Sequence, residues 1–407
     1  VVRAMPVLAD IVAARERIRP GVVPTPCVPG LGLADLLPCP LWIKLESQQR
    51  TGSFKDRGAL NRLLDLSPAE RRAGVVTASA GNHAQAVAYH CGRLGIPAEV
   101  VMPEHTPLVK VSNTRRYGAR VHLHGATISD AMVEARRLEA ERGLVLIHAF
   151  DDDRVIAGQG TVGLELLEQV PELTVVVVPV GGGGLVSGIA IALKEQRPGI
   201  RVIGVEAAAA ASALASRRAG RIVQVEAAET IADGIAVKRV GERTFPLIER
   251  YVDDLVTVGE EQIAAAIHLL LERQRVVAEG AGAVPLAALL SGAVRLGPGD
   301  VAVMVLSGGN IDVNLVERII DRGLLLEGRI AHLMVKVRDR PGQLARLTRI
   351  VAETEANVLE IGHRRAFADV SVGEVEIVMH LETRGREHVD EIIRRLEAAG
   401  LHVEEDV

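Results

Sequence analysis

Aromatic residues are scarce, making up 2% of the 407 positions. Such a chain lacks the stacking platforms that single-stranded nucleic acid needs. Cysteine is nearly missing too. Cys27, Cys39 and Cys91 are widely spaced and form no CxxC pair. That suits a reducing compartment and gives no zinc ligand set. No apolar run reaches membrane-spanning length. The N-terminal stretch has no apolar signal core, because Arg15, Glu16, Arg17 and Arg19 interrupt it. An excess of positive charge is also lacking. A formal net charge of −5 argues against a nucleic-acid or anionic-membrane surface. The expectation is a soluble cytoplasmic protein with neither nucleic acid nor membrane as partner.

What is present is apolar. Hydrophobic residues reach 48% and charged residues 24%, enough for a large core. The length allows roughly two or three domains. Pro6 to Arg19 has helical spacing, and Pro20 ends it. Residues 20–40 are rich in Pro and Gly and read as a wrapping loop. Leu41 to Leu45 reads as a strand leading into Gly52-Ser53-Phe54-Lys55-Asp56-Arg57-Gly58. A lysine at a helix start meets the positive end of the helix dipole, which favours its uncharged amine. A surface lysine on a glycine turn is the plainer alternative.

Three further stretches carry the same strand–loop–helix grammar. Val75 to Ala78 enters Ser79-Ala80-Gly81-Asn82-His83, then a helix striped by Ala84, Val87 and Cys91. That loop is either an anion site at a helix start or an ordinary capped helix. Thr174 to Val180 is a strand buried on both faces, followed by Gly181-Gly182-Gly183-Gly184. Four glycines let successive N–H groups converge on one anion with no Cβ in the way. The run matches neither GxGxxG nor a Walker A loop. A flexible turn is the alternative. Strand 301–306 ends in Ser307-Gly308-Gly309-Asn310, where open α/β sheets bind ligands, with a simple N-cap or turn at Ser307 as the alternative.

Other candidates point to bland roles. His122 and His124 share a strand face without a third ligand nearby. Asp151-Asp152-Asp153, after a strand read at 144–150, suits a loop or helix cap. Gly323 to Arg329 reads as a linker. Beyond it, strands at 333–337, 357–366 and 374–382, a last strand starting at Leu401 and Val403, and helices around Leu347 and Ile392 give the order βαββαβ, a ferredoxin-like unit.

The lysine motif, the Ser-Ala-Gly-Asn-His loop, the tetraglycine run and Ser-Gly-Gly-Asn occur in that order. Together they resemble the fold-type II pyridoxal-phosphate enzymes, most closely the threonine dehydratases (threonine ammonia-lyases). The C-terminal unit resembles an ACT domain through Asp339-Arg340-Pro341-Gly342-Gln343-Leu344 and Asn357-Val358-Leu359. The resemblance implies an α/β core of two open twisted subdomains over 1–323, the smaller at roughly 50–150, then a linker at 324–329 and the ACT domain at 330–407.

It also implies residue roles. Lys55 would join the aldehyde of pyridoxal 5'-phosphate, with Phe54 beside the ring. Gly181, Gly182, Gly183, Gly184 and Leu185 would bind the phosphate through N–H groups. Asn82 would meet the ring oxygen and Ser307 the ring nitrogen, with Gly234 and Glu279 as neighbours. Ser79, Ala80, Gly81 and His83 would frame the substrate carboxylate. The implied reaction is dehydration and deamination of L-threonine, and of L-serine, feeding isoleucine biosynthesis. A branched-chain amino acid would act at Asp339, Pro341, Gly342, Gln343, Leu344 and Asn357. The assembly would be a homo-dimer or homo-tetramer.

The sequence also departs from the family's pattern. Asp56 stands where dehydratases carry an apolar residue, and Ser-Phe-Lys-Asp-Arg-Gly is closer to threonine synthases. His83 and the all-glycine loop argue against a synthase. Serine racemases carry a serine in the place of Ala80, and alanine cannot move protons. Racemases also hold a divalent ion with a glutamate and an aspartate. Here Glu206 is followed by Ala207 to Ala211 and Ser212, so no metal is expected. A catalytically dead amino-acid-sensing regulator is the rival of a different class.

Overall fold

The computed structural model describes residues 5–226, 228–364 and 373–406. The chain divides into two compact units, Val1–Ile311 and Asp312–Val407. Among the described residues no helix is long and apolar enough to cross a membrane.

Among the described residues, fourteen strands run in chain order. They are β1 (Cys27–Pro29), β2 (Leu41–Leu45), β3 (Val75–Ala78), β4 (Ala98–Met102), β5 (Arg120–Leu123), β6 (Val145–Leu146), β7 (Val175–Pro179), β8 (Arg201–Ala207), β9 (Asp254–Val258), β10 (Ala302–Leu306), β11 (Ile330–Arg338), β12 (Asn357–Arg364), β13 (Glu374–Glu382) and β14 (His402–Glu405). Among its described residues, the first unit holds two sheets. One has the order β1-β2-β10-β7-β8-β9, the other β5-β4-β3-β6. All pairs in both are parallel except β1 with β2. The smaller sheet lies in sequence between β2 and β7.

Parallel sheets need cover on both faces, and the composition supplies it. All five residues of β7 and all five of β10 are buried. Each valine so placed contributes roughly 1.5–3 kcal/mol relative to exposure. The core around β7, β8 and β10 continues into Val186, Ile189 and Leu193 of the helix Gly184–Lys194. Close approach of helices is set by small residues. A Cβ on Gly188 would lie 2.4 Å from the Ile156 carbonyl oxygen, and one on Gly158 2.7 Å from that of Arg57.

Residues 20–40 are not all loop. β1 pairs antiparallel with β2 at the sheet edge, and Leu31–Leu36 forms a 3-10 turn. Prolines are tolerated on an edge strand, which hid it in the sequence. The strand read at 144–150 is shorter: only Val145 and Leu146 pair in the sheet. Asp152 caps the next helix, accepting from the Arg154 and Val155 N–H groups at 2.8 and 3.1 Å. Asp153 pairs with Arg243 at 2.7 Å.

In the second unit, a helix covers Val313–Leu326, through the first part of the stretch read as a linker. The sheet order is β12-β13-β11-β14, all antiparallel. One face packs on the helices Gln343–Ala352 and Arg386–Ala398, through Leu333, Val335, Leu347, Ile377, Val389 and Ile392. The strand expected at 357–366 is seen as Asn357–Arg364, and residues 365 and 366 lie outside the described residues.

Candidate active site

Lys55 is the first residue of the helix Lys55–Leu64, and no side chain caps that helix start. Its amine donates to the Ala149 carbonyl at 2.9 Å and lies 4.9 Å from the centroid of the Phe54 ring. The side chain keeps a partial opening to solvent, while its amine is enclosed by protein. Desolvation lowers the amine from 10.5 to about 8, and the charge of Glu279 works against that. At neutral pH roughly a tenth of such amines carry a free lone pair. An ordinary lysine carries about a thousandth or less.

Asp56 explains its own departure from the expected pattern. It is fully buried. Its Oδ2 accepts from the Thr51 N–H at 3.0 Å and its Oδ1 from the Thr51 hydroxyl at 2.8 Å. His90 Nε2 lies 3.1 Å from the same Oδ1. Asp56 therefore ties down the turn before the lysine helix.

The loop Ser79–His83 follows β3 and opens the helix Asn82–Leu94. The Gly81 N–H donates to the Ser79 hydroxyl at 3.2 Å. Asn82 Nδ2 donates to both Glu279 oxygens, at 2.8 and 3.0 Å. His83 is buried, and its Nε2 lies 3.1 Å from the Ile147 carbonyl oxygen. A carbonyl only accepts, so Nε2 carries the proton. Desolvation, then the nearby Lys55, lowers His83 to about 3, so it is neutral. Its side chain is committed to the interior, which leaves its main-chain N–H for any role at the loop surface.

The tetraglycine run joins β7 to the helix Gly184–Lys194, with Gly183 in left-handed conformation at φ 91°. A Cβ on Gly182 would strike the Phe150 ring at 2.3 Å. The Thr244 hydroxyl donates to the Gly182 carbonyl at 2.6 Å, which fixes the loop from below. No side chain caps this helix. The N–H groups of its first turn, Leu185 included, therefore have no intrahelical partner. The Leu185 side chain is in the core.

Ser307 is buried at the end of β10, and its carbonyl accepts from the Phe54 N–H at 3.0 Å. Gly308 lies over Glu279, where a Cβ would come 2.3 Å from Oε1. A Cβ on Gly234 would be 3.8 Å from the same oxygen. Asn310 Nδ2 donates to Asn82 Oδ1 at 2.8 Å. The lysine turn, the asparagine loop, Glu279, Gly234 and the Ser-Gly-Gly-Asn turn thus converge. The glycine run joins them through Ala149 and Phe150.

Sequence reasoning read Ile147–Asp151 only as the end of a strand and a loop or cap, and gave it no role at the site. Its carbonyls receive His83 and Lys55, and Phe150 rests on Gly182. Asp151 accepts from the N–H groups of Glu242 and Arg243. Thr244 was missed too, and Asn310 was seen only as the last residue of Ser-Gly-Gly-Asn, with no role of its own. Glu206 is a helix cap: its oxygens accept from Ala213 and Leu214 at 2.8 Å each. His122 pairs with Glu99 at 2.8 Å.

Burial pushes Glu279 from 4.5 up to about 7, opposed by the Asn82 bond and helped by the charge of Asp233. A carboxyl raised in this way stabilises the fold while protonated. That contribution is complete below pH 4.5 and is lost as pH rises through about 7. Glu279→Gln, neutral throughout, should therefore gain stability over the wild type as pH rises across that window. Urea unfolding of the cofactor-free protein at about pH 5 and about pH 8 measures the difference. The same difference at both would contradict the assignment.

In the second unit a cavity of about 350 Å³ is lined by Asp339, Pro341, Gly342, Gln343 and Leu344, with Arg338, His363 and Ile377. Gly342 stands at φ 90°, a conformation only glycine adopts without strain. Asn357 is not part of this cavity, contrary to its grouping by sequence. Its side chain donates to Glu382 at 3.1 Å.

Residues 18–308 match the family described as pyridoxal-phosphate dependent enzyme, and 331–399 match the ACT domain. The chain belongs to the pyridoxal-phosphate-dependent enzymes of α/β fold type II, with an ACT domain after the catalytic core. Its cofactor is pyridoxal 5'-phosphate. Within that family it is similar to two proteins named L-threonine ammonia-lyase. That of Thermotoga maritima is 48% identical, covering 97% of this chain and 98% of its own. That of Geobacter sulfurreducens is 48% identical, covering 96% and 97%. The solved structure of a threonine deaminase from T.th. superposes with a TM-score of 0.71 at 46% identity, covering 75% of this chain and 99% of that one. Serine racemase from Dictyostelium discoideum gives 0.72 at 38% identity, covering 76% and 100%.

Proposed function

We propose that this chain removes water and then ammonia from L-threonine, and from L-serine, to release 2-oxobutanoate or pyruvate. The observation that carries the reading is Lys55: a buried, easily deprotonated amine facing Glu279, in a family defined by a lysine-bound aldehyde cofactor. The residues fit that cofactor. Unpaired N–H groups at the start of the helix Gly184–Lys194 suit a phosphate. Gly182 and Gly308 sit where any side chain would collide with Phe150 or Glu279. Asn82 offers an amide beside Glu279.

In this reading Lys55 holds the aldehyde, with Phe54 against the ring. Gly181, Gly182, Gly183, Gly184 and Leu185 hold the phosphate. Asn82 donates to the ring oxygen and Ser307 meets the ring nitrogen, with Gly234 and Glu279 alongside. When bound, the cofactor supplies an electron sink for the pair left behind as the α proton departs. The free Lys55 Nζ takes that proton. Main-chain groups of Ser79, Ala80, Gly81 and His83 hold the substrate carboxylate at the helix start. Ala80 has no proton to return on the opposite face, so elimination is favoured over racemisation. The β hydroxyl leaves as water, so that it and the proton lost from the α carbon together balance the dehydration, and the enamine formed takes up water to give a 2-oxo acid and ammonia. This reading assigns no metal, because Ala207 to Ala211 and Ser212 offer Glu206 no carboxylate partner.

The cavity at Asp339–Leu344 is large enough for one amino acid. We assign to it a branched-chain effector, isoleucine or valine, bound between ACT units of neighbouring copies in a homo-oligomer. Allostery of that kind needs different affinities in two states. A cytoplasmic role in isoleucine biosynthesis belongs to the same reading. The test is 2-oxo acid release from L-threonine and L-serine, with and without isoleucine or valine. The full chain should respond to the effector, and a chain lacking 330–407 should stay active but indifferent. No 2-oxo acid from either substrate would refute the activity. An effector response in the shortened chain would refute the assignment of the effector to the ACT unit.

A further inference from the structure

We infer that Asn310 is a positioning residue that fixes which end of the Asn82 amide faces the cofactor, a role that rests on reading Asn82 as the partner of the ring oxygen. An asparagine amide has two unlike ends, a donor and an acceptor. A ring oxygen bearing negative charge needs the donor. Something must therefore prevent Asn82 from turning over.

Both ends of Asn82 are engaged. Its Nδ2 donates to the Glu279 oxygens at 2.8 and 3.0 Å, and its Oδ1 accepts from Asn310 Nδ2 at 2.8 Å; to meet the ring oxygen, one of its two hydrogens has to leave Glu279. The same Asn310 nitrogen donates to the Thr51 carbonyl at 2.7 Å. Two hydrogens serve two acceptors, so the Asn310 NH2 group is fully used. Turning Asn310 over would set its oxygen against the Thr51 carbonyl and the Asn82 oxygen. A backbone carbonyl cannot change from acceptor to donor. Orientation therefore passes from Thr51, through Asn310, to Asn82.

The lysine turn makes room for this relay. Gly52 stands at φ 78°, and a Cβ there would lie 2.5 Å from Asn310 Oδ1. Asn310 is exposed, so hydrogen bonds rather than packing hold its amide. Glu279 by itself would not suffice. Its carboxyl sits near neutrality, and once protonated it can donate to a reversed Asn82. Asn310 has no such second state.

The experiment measures the dissociation constant of pyridoxal 5'-phosphate by absorbance titration. It compares the full-length wild type with Asn310→Asp, Asn310→Ser, Asn82→Ala and the Asn82→Ala/Asn310→Asp double variant. Asn310→Asp replaces a donor by an acceptor and should weaken binding about tenfold. Asn310→Ser keeps one hydroxyl donor and should lose about threefold, which also covers the case of a poorly folded aspartate variant. In the Asn82→Ala background the aspartate should change binding by less than about twofold, because its effect acts through Asn82. If Asn82→Ala leaves binding unchanged, the reading of Asn82 fails, and the relay with it. If Asn82→Ala weakens binding while Asn310→Asp and Asn310→Ser do not, the relay alone is wrong. A tenfold loss that persists in the double variant also overturns it.

Discussion

Lys55→Ala should lower 2-oxo acid release by about a thousandfold or more and abolish the lysine-dependent visible band formed with pyridoxal phosphate. The magnitude follows from losing two jobs at once, the amine that holds the aldehyde and the base that takes the α proton. Lys55→Arg should fail equally, because a guanidinium keeps its proton in proteins and cannot act as a base. Loss of fold is separable from loss of chemistry. Burial lowers the amine from 10.5 to about 8, so its favourable contribution exists above 10.5 and is lost as pH falls through 8. At neutral pH the wild type already bears that cost. The alanine variant should then unfold at no lower temperature than the cofactor-free wild type. A wild-type protein that stays colourless with the cofactor would favour a regulator with a dead site. A Lys55→Ala variant that keeps most of its activity would remove the lysine from the mechanism.

The parts of this site that could be read in the sequence are those whose signal is local. Lys55, Asn82, the four glycines and Ser307 each lie at a strand–turn–helix junction, where turn chemistry and helix starts leave a written mark. Ile147, Ala149 and Phe150 leave none. Two of them act through backbone carbonyls, which every residue possesses. Asn310 was visible as part of Ser-Gly-Gly-Asn, but its partners Thr51 and Asn82 lie far away in the chain. Asp56 looked anomalous by family pattern and proved ordinary by contact, since Thr51 and His90 absorb it. His83 was placed in a substrate loop by family resemblance, and its side chain points into the interior. Asn357 was grouped with the ACT loop by motif, although strand β12 carries it to Glu382. Pattern gives neighbours along the chain, and only the fold decides which side chains share a space.

The buried charges beneath the lysine helix are the extreme case. Arg57, two positions after Lys55, has no contact with solvent. Its guanidinium meets Glu46 through Nε and Nη2, both at 2.8 Å, and Glu165 through Nη1 at 2.5 Å and Nη2 at 2.8 Å. Lys44 reaches Glu165 at 2.5 Å, the Thr25 carbonyl at 2.6 Å and Gln169 at 2.9 Å. The cluster is electrically balanced and ties the lysine helix to β2 and to the helix Asp153–Gln169. Such a network adds little over an apolar core, but removing one member strands the rest. Arg57→Met should therefore destabilise the protein by about 3–5 kcal/mol at neutral pH. Arg57→Lys should recover only part, because an ammonium cannot fork onto two carboxylates. The pH dependence gives a sharper check. Burial alone would raise Glu46, but the charge and hydrogen bonds of Arg57 reverse that, and its carboxyl lies below the usual range. Its stabilising contribution is present above its unfolded pKa and is lost as pH falls through the lower folded value. Without Arg57 the raising effect of burial, the largest cause, is opposed only by the Lys44 charge and the Thr25 hydrogen bond, so the carboxyl should rise and the sign turn over. Arg57→Met should gain stability from acidification in the range where the wild type loses this contribution. Urea unfolding at several pH values reads both slopes. Parallel slopes, or a cost under about 1 kcal/mol, would mean that packing rather than charge balance holds the lysine helix in place.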